Sequence, residues 1–398
     1  MAGTTLDTIE DIMNRKLVLL PEKLRPVFEE LATRSSRGTM VVGPRGTGKT
    51  TYLLSRVRGK NLLYFSADSP LMAAKSLWDI GVAAFKEGYD GIAVDEVHFA
   101  KEWSLSLKAL FDSYPNKVFF ASDSSSIILR TGLADLSRRF IQVNVPLLSF
   151  REFIFFKTEM LFPKIALPDF DRKIVQNIFR SLNINKLFKE YLKEGSRPIF
   201  FEGNYQDRIL NIIEKTIFSD IPFFVPSIVD NNFRLLNAVM DFLAHSKIPQ
   251  LAIRSLCTEW GIGALKLYKL LFVMEHVGLI RIIRRQKDFK ANSSGEKVFL
   301  YDPTMYSALH GDIGNIREAF VAGAFVDAGF RVFAPKNESE CDFILESPMG
   351  NSSLAGKDWK IEVGGKNKSH KQVDVVVRDD IDLPGKDIIP MWLLGFGS

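Results

Sequence analysis

The residues with the clearest chemical role form one octet at positions 43–50, which reads GPRGTGKT. The octet fits the phosphate-loop pattern G-x-x-x-x-G-K-[ST] without a mismatch. An apolar run at 39–42 precedes it, and a helical pattern at 50–56 follows it. A glycine turn between a strand and a helix N-terminus directs backbone N–H groups and the positive end of the helix dipole at phosphate. The sequence therefore predicts a site for a nucleoside triphosphate.

The octet and the residue after it are all candidates for contact with ATP: Gly43, Pro44, Arg45, Gly46, Thr47, Gly48, Lys49, Thr50 and Thr51. Lys49 is expected to reach the β- and γ-phosphates, and the Thr50 hydroxyl is expected to bind Mg²⁺. A glycine-rich turn without a ligand is the alternative. The complete match and its strand–helix context favour the phosphate site.

Two neighbouring carboxylates, Asp95 and Glu96, follow the apolar run at 91–94. Asp95 is expected to hold Mg²⁺, directly or through water, and Glu96 to polarise the attacking water. A solvated acidic surface is the alternative, but an acidic pair at a strand end downstream of a phosphate loop favours catalysis. The pair also favours hydrolysis, because a pure nucleotide sensor has less use for a base.

Five short apolar runs alternate with helical stretches, at 39–42, 61–65, 91–94, 117–121 and 140–145. This alternation predicts a parallel α/β sheet covered on both faces by helices. The fourth run ends in a polar cluster at 122–126, beside the predicted phosphate-loop strand. Ser124 and Asp123 are the candidates for sensing the γ-phosphate. Capping of a following helix by a serine is an equally physical interpretation.

Composition is that of an ordinary globular chain. Of 398 residues, 46% are hydrophobic and 25% are charged, and the net charge is +5. No apolar run approaches the roughly 18 residues that a membrane helix needs, and the first residues do not form a signal peptide. Cys257 and Cys341 match no metal or disulfide spacing. We therefore expect a cytoplasmic protein without a membrane partner, and the mild positive charge permits nucleic-acid binding without arguing for it.

Four segments carry a resemblance to a known family: the octet at 43–50, the VDEVH block at 94–98, the serine cluster within 122–126 and the PLLSFREF stretch at 146–153. Together they resemble AAA-like ATPases of prokaryotes, in which a DEvh segment, an SSS strand end, an L-x-G-R turn and a PLSFREF segment follow one another. The resemblance implies an AAA+-like sheet with strand order 5-1-4-3-2.

The resemblance also implies an arginine near the L-x-G-R turn, which here reads LSRR at 136–139 and lacks the usual glycine. Arg138 or Arg139 would then stabilise transition-state charge, in the same chain or from a neighbouring subunit. An arginine that caps a helix C-terminus is the alternative.

The rest of the chain divides into three parts after the ATPase domain at 1–148. A helical pattern extends over 171–244, and its YLKEGSRP and SDIP stretches again resemble the family, so 149–245 is interpreted as a helical lid region. No catalytic group of residues is recognised there. A winged-helix domain at 246–302 and a small α/β domain at 303–398 complete the predicted organisation.

The winged-helix prediction rests on two amphipathic helices at 251–258 and 265–277, followed by strands at 279–283 and 297–301. Basic residues lie on the second helix and in the loop between the strands: Lys266, Lys269, Arg284, Arg285, Lys287 and Lys290. A basic wing on duplex DNA and a rigid packing module with solvated charge are both consistent with this pattern.

The last domain carries Glu318 on a predicted helix and Asp342 and Glu362 on predicted strands, which resembles the PD-(D/E)XK nuclease fold. In active nucleases two such carboxylates hold Mg²⁺ and a lysine assists water activation. Here the second motif reads Glu-Val-Gly at 362–364, so the lysine is missing. Three nearby side chains are candidates to compensate: Lys366, Lys371 and Gln372. The altered motif favours a nuclease-like structural or binding module over an active nuclease.

These observations predict an ATPase that uses Mg²⁺, with DNA binding as an extension. Two alternatives from other classes remain: an ATP-dependent Mg²⁺ nuclease, and a slow ATP-gated switch that binds a protein partner. A homo-oligomer is a separate candidate assembly of the chain.

Overall fold

The computed structural model describes residues 5–73, 75–124, 136–167, 170–246, 251–286, 297–337, 339–347, 358–365 and 373–397. The chain divides into two compact units, Met1–Pro146 and Leu147–Ser398. Five candidate residues lie outside the described residues: Lys287, Lys290, Lys366, Lys371 and Gln372. Within the described part, no helix is both long and apolar enough to cross a membrane.

The first unit alternates strands and helices, as predicted. Its helices are α1 (Thr5–Val18), α2 (Val27–Thr33), α3 (Lys49–Val57), α4 (Leu77–Lys86) and α5 (Trp103–Ser113), and its strands are β1 (Gly38–Val42), β2 (Leu62–Ser66), β3 (Gly91–Asp95), β4 (Val118–Asp123) and β5 (Ile141–Asn144). Each strand overlaps one of the five predicted apolar runs. Short 3₁₀ turns lie at Pro70–Ala73 and Val97–Phe99.

The five strands form one parallel sheet in the order β2-β3-β4-β1-β5. This is the predicted order 5-1-4-3-2, so the expectation is confirmed. Strands β1 and β3 are buried along their whole length, because helices such as α3 and α4 pack against the sheet. A strand covered on both faces needs a continuous apolar run rather than an alternating one, and this is the pattern of the sequence.

The register of the sheet brings the polar strand ends together. Val42, the last residue of β1, pairs with Asp123 at the end of β4, and Ser66 of β2 pairs with Asp95 at the end of β3. Parallel strands place all their carboxyl ends at the same edge. The octet, which follows β1, therefore lies at the edge that carries Asp95 and Asp123.

The second unit is mainly helical before a mixed sheet. Its helices are α6 (Phe150–Thr158), α7 (Arg172–Ser181), α8 (Ile184–Glu194), α9 (Tyr205–Lys215), α10 (Ile221–Phe224), α11 (Asp230–His245), α12 (Ile253–Glu259), α13 (Ala264–His276), α14 (Pro303–Ala308), α15 (Ile313–Asp327) and α16 (Met391–Leu394). Its strands are β6 (Ile280–Ile283), β7 (Lys297–Leu300), β8 (Arg331–Phe333), β9 (Phe343–Glu346), β10 (Asp358–Gly364), β11 (Val375–Arg378) and β12 (Ile388–Pro390). The helical pattern predicted for 171–244 matches α7 to α11.

The described strands β6 to β12 of the second unit belong to two sheets. Strands β6 and β7 form an antiparallel pair, and β8 to β12 form a sheet in the order β12-β11-β10-β9-β8. In the larger sheet β9 is antiparallel to both neighbours, whereas β10, β11 and β12 are parallel. The two helices and the two strands predicted within 246–302 are found as α12, α13, β6 and β7.

A buried ion pair anchors the packing of this unit. The Arg197 guanidinium donates to the Asp302 carboxylate, and both side chains are almost completely enclosed. Asp302 also accepts from the Thr304 backbone N–H at 2.7 Å and from the Ser196 hydroxyl at 3.1 Å. These bonds join the segment before Pro198 to the first turn of α14 across more than 100 residues of sequence.

We expect Asp302→Asn to lower the free energy of unfolding by about 3–5 kcal/mol, because a buried arginine then lacks a charged partner. Urea unfolding measures the effect. Asp380→Asn is the matched control, since it removes an acid from the exposed Lys189–Asp380 pair, whose N–O distance is 2.7 Å. It should leave stability nearly unchanged. Equal effects of the two substitutions would contradict the structural role of the buried pair.

Candidate active site

The glycines of the octet occupy backbone conformations that other residues rarely adopt. Gly46 and Gly48 have φ angles of +76° and +93°, and Gly48 is the N-cap of α3. Gly43 has a φ angle of +153°, and a Cβ atom there would lie 2.3 Å from the Val145 carbonyl oxygen. The glycine spacing of the octet therefore follows from a tight loop that packs directly on the chain leaving β5.

Arg25 holds this loop from outside the motif. Its Nη1 donates to the carbonyl oxygens of Thr47 and Pro146, at 2.8 Å each, and the residue is only 3% exposed. Within the loop, the Thr47 hydroxyl donates to the Pro44 carbonyl oxygen at 2.9 Å. Sequence reasoning missed Arg25, because no motif spacing connects it to the octet.

Lys49 points back into the loop that it follows. Its Nζ donates to the carbonyl oxygens of Gly43 at 2.8 Å and Pro44 at 3.1 Å, and the side chain is buried. Burial lowers the pKa of Lys49, and the carboxylates of Glu96 and Asp95 act in the opposite direction. An ammonium group in the curve of a glycine loop is placed to meet a phosphate group.

Asp95 accepts hydrogen bonds from residues of three secondary-structure elements. Its Oδ2 accepts from the Thr50 hydroxyl of α3 at 2.7 Å and from the Tyr64 hydroxyl of β2 at 2.9 Å. Its Oδ1 accepts from the Ser122 hydroxyl of β4. Thr50 and Asp95, the two predicted Mg²⁺ ligands, are thus in direct contact. Hydroxyl and carboxylate oxygens are the donors that Mg²⁺ prefers, so these residues fit the ion.

Tyr64 was not predicted as part of the site. Burial and the charge of Asp95 raise the pKa of Tyr64, so the phenol stays protonated and donates to Asp95. Lys16 of α1 in turn donates from Nζ to the Tyr64 hydroxyl oxygen at 3.1 Å. A tyrosine inside an apolar strand pattern gives no sequence signal for this role, since it is indistinguishable from a core residue.

Glu96 leaves the line of β3 through a left-handed backbone conformation, with a φ angle of +48°. Such a conformation is rare for a residue with a Cβ atom and costs of the order of 1 kcal/mol. The Ser124 hydroxyl lies 2.9 Å from each carboxylate oxygen of Glu96. Burial raises the pKa of Glu96, while the positive charge of Lys49 lowers it. The carboxylate is therefore held among the residues of the phosphate loop.

His98 and Asp123 lie directly beside Glu96. The Nδ1 atom of His98 is 2.6 Å from Asp123 Oδ2 and 3.8 Å from Glu96 Oε2. In the part of the chain that the structure describes, these three residues are the one group of three potential metal ligands whose atoms lie within 4.8 Å of one another. Ser124 and Asp123 are thus placed at the site, as their position beside β1 predicted, and their role in sensing phosphate stays a prediction.

The two candidate arginines lie elsewhere. The Arg139 guanidinium forms two hydrogen bonds with Asp112, at 2.7 and 2.8 Å, and its carbonyl oxygen contacts Gly38 at the start of β1. The length of β1, about 13 Å, separates this position from the phosphate loop of the same chain. Arg138 is exposed at the same end. The structure therefore does not bring either arginine to its own loop.

In the second unit, a lysine lies between two of the three candidate nuclease acids. Lys297 Nζ is 2.8 Å from Glu318 Oε2 and 3.7 Å from Asp342 Oδ1, and the lysine is buried. Asp342 Oδ2 accepts from the Val363 backbone N–H at 2.7 Å, and Glu362 of β10 is fully enclosed. Lys297 was not predicted here, because it precedes both motifs on a different strand pair. Metal binding by the three acids stays a prediction.

The predicted basic surface is partly neutralised. Arg284 forms hydrogen bonds of 3.1 and 2.9 Å with the Glu275 carboxylate. Lys266 donates to the Ser227 carbonyl oxygen at 2.9 Å. Lys269 and Arg285 are exposed.

We expect Tyr64→Phe to lower the free energy of unfolding by about 2 kcal/mol, because a buried carboxylate loses a hydrogen-bond donor. Tyr89→Phe is the matched control, since the half-exposed Tyr89 hydroxyl donates to Glu10 at 2.7 Å, where water can replace it. Urea unfolding of both variants measures the difference. An equal or larger loss for Tyr89→Phe would contradict the place given to Tyr64.

Comparisons with known proteins agree with this geometry at the level of the domain. The chain matches no curated protein in sequence. Among solved structures it is similar to a Walker-type ATPase of Pyrococcus abyssi, with 14% identity, 72% of this chain and 95% of that chain covered and a TM-score of 0.40.

Two further solved structures are similar. One is the Orc1 protein of Aeropyrum pernix in complex with DNA, with 15% identity, 73% of this chain and 93% of that chain covered and a TM-score of 0.32. The other is a signal transduction ATPase with numerous domains and a tetratricopeptide repeat sensor from Pyrococcus horikoshii, with 12% identity, 77% of this chain and 45% of that chain covered and a TM-score of 0.29. Residues 35–154 match the family model described as an AAA domain, which assigns this stretch, with its phosphate loop and parallel sheet, to the AAA type.

Proposed function

We propose that the protein binds ATP with Mg²⁺ and hydrolyses it. The observation that carries this proposal is the contact between the Thr50 hydroxyl and the Asp95 carboxylate, at 2.7 Å, directly beside the loop that holds Lys49. It joins a predicted phosphate site and a predicted metal site at one edge of the sheet. The match of residues 35–154 to an AAA domain supports the same function.

In this proposal Thr50 and Asp95 would hold the metal ion, which would neutralise phosphate charge. Tyr64 and Ser122 keep the Asp95 carboxylate in place by their hydrogen bonds. The Lys49 ammonium exchanges the carbonyl oxygens of Gly43 and Pro44 for phosphate oxygens. Burial of this lysine makes the exchange favourable, because a buried cation gains more from an anion than from neutral carbonyls.

Glu96 is proposed to orient the attacking water and to accept its proton. Burial raises the pKa of Glu96, which makes the carboxylate a stronger base than an ordinary glutamate. The Ser124 hydroxyl keeps the carboxylate oriented. The strained backbone of Glu96 aims the side chain at the loop rather than along β3.

We expect Glu96→Gln to lower the rate of ATP hydrolysis by about 10²–10⁴-fold while leaving nucleotide binding intact, because the amide cannot accept the proton. Phosphate release and the binding of a fluorescent ATP analogue are measured in parallel. Glu102→Gln is the matched control: Glu102 is exposed and has a similar left-handed φ angle of +51°. Each protein is assayed with and without duplex DNA.

The outcomes separate the candidate functions. Turnover in the wild type that Glu96→Gln abolishes and Glu102→Gln retains supports the ATPase, and stimulation by DNA supports an interaction through the second unit. Firm ATP binding without turnover would overturn hydrolysis and favour an ATP-gated switch that binds a protein partner.

Fewer observations support DNA binding or nuclease activity than support ATP hydrolysis. The pairing of Arg284 with Glu275 leaves fewer charges on the predicted wing than the sequence suggests. An ATP-dependent nuclease needs a divalent ion among Glu318, Asp342 and Glu362, and the Lys297 ammonium lies between the first two. A buried lysine there already compensates the negative charge that a metal would neutralise.

Arg138 is proposed to act on the phosphate loop of a second copy of the chain, because it is exposed and far from its own loop. We expect Arg138→Ala to lower turnover at least about tenfold without changing stability. Arg139→Ala should instead lower stability, since it breaks the bidentate pair with Asp112. Turnover measured over a range of protein concentrations, with urea unfolding alongside, distinguishes them. Unchanged turnover of Arg138→Ala at every concentration would contradict the proposal.

A further inference from the structure

The segment after Glu96 carries a histidine that the proposed mechanism does not use. The short turn Val97–Phe99 places His98 beneath Glu96, where it is 5% exposed. Its partner Asp123 ends β4 and is 0% exposed. The Nδ1–Oδ2 distance of 2.6 Å is that of a strong hydrogen bond to a charged acceptor. Two enclosed polar side chains thus support the residue proposed as the base.

The surroundings of Nδ1 decide which atom carries the proton. Two carboxylate oxygens lie near this atom, Asp123 Oδ2 at 2.6 Å and Glu96 Oε2 at 3.8 Å. Ionised carboxylates only accept hydrogen bonds, so Nδ1 carries the hydrogen and donates it to Asp123. The same N–H faces Glu96, and it lies between two acids that would otherwise repel each other.

The same imidazole lies beside two carboxylates. His98 Nδ1 is within 3.8 Å of an oxygen of Glu96 and forms its short contact with Asp123. The hydrogen bond fixes the orientation of the Asp123 carboxylate, and the imidazole occupies the space next to Glu96. Its removal would take away both supports of the neighbouring carboxylate.

We propose that His98 is a positioning residue for the hydrolysis proposed above. By donating from Nδ1 to Asp123, it fixes the carboxylate at the end of β4 and keeps the neighbouring Glu96 carboxylate in position. Ser124, the residue after Asp123, holds Glu96 by a hydrogen bond from its hydroxyl. This inference rests on the proposed ATPase activity, and His98 itself does not touch the reacting atoms.

The experiment compares His98→Ala, His98→Asn and Phe99→Ala in single-turnover ATP hydrolysis. Asn supplies an amide N–H close to the position of Nδ1 and is the conservative variant. Phe99 packs against the imidazole, with ring centroids 4.1 Å apart and the ring planes tilted by 37°, and it is 44% exposed, so its removal loosens packing without removing the hydrogen bond. The hydrolysis rate, the KM for Mg-ATP and the Tm are measured.

We expect His98→Ala to lower the hydrolysis rate by about 10–100-fold, the usual size of an effect transmitted through a supporting residue, with little change in KM. His98→Asn should regain most of the rate, and Phe99→Ala should resemble the wild type.

Wild-type turnover with an unchanged rate in His98→Ala would overturn the inference alone. Absence of turnover in the wild type would overturn the proposed hydrolysis and this inference with it. If His98→Ala does not fold, His98→Asn decides, because a loss of rate of about 10–100-fold in this variant, which keeps an amide N–H, contradicts a role through the hydrogen bond to Asp123.

Discussion

The hydrogen bonds converging on Asp95 are the interaction on which the site depends. Donors from α3, β2 and β4 meet on one carboxylate through Thr50, Tyr64 and Ser122. A buried carboxylate needs such donors, since leaving a charge unsatisfied in a protein interior costs several kcal/mol. The need to satisfy this charge therefore fixes the relative position of the phosphate-loop helix and three strand ends. The edge of the sheet becomes a rigid support for chemistry instead of a set of separate loops.

The residue after Asp95, Glu96, has a strained backbone conformation that sets the direction of its side chain. The backbone at this residue is left-handed, the Ser124 hydroxyl lies 2.9 Å from each of its carboxylate oxygens, and His98 Nδ1 lies 3.8 Å from Oε2. Strain of this kind persists only where the surroundings determine it, and such surroundings are common at functional sites. Burial makes Glu96 a stronger base, but it also makes protonation easier, and a protonated Glu96 can no longer accept a proton. The charged neighbours of Glu96 must balance these two consequences.

In the second unit, acidic side chains are compensated in a different way. Its acids are compensated by protein cations: Lys297 lies between Glu318 and Asp342, and Arg197 pairs with Asp302. Buried charges of one sign require partners of the other, and either a side chain or a metal ion can provide them. Supplying the positive charge from a lysine removes much of the electrostatic demand for a divalent ion.

The sequence alone determined the phosphate loop, the strand–helix alternation and the acidic pair, because each depends on residues close together in the chain. The glycine spacing of 43–50 follows from a turn of fixed length. The meeting of the polar strand ends follows because parallel strands place their carboxyl ends at the same edge of the sheet. Tertiary structure alone decided the roles of Arg25, Tyr64 and Lys297, and it placed Arg139 beside Asp112, away from the phosphate loop of its own chain. These contacts join residues tens of positions apart. Only the folding of the chain brings such donors and acceptors within hydrogen-bonding distance. Tertiary contacts of this kind have no fixed spacing in the sequence, so no motif reveals them.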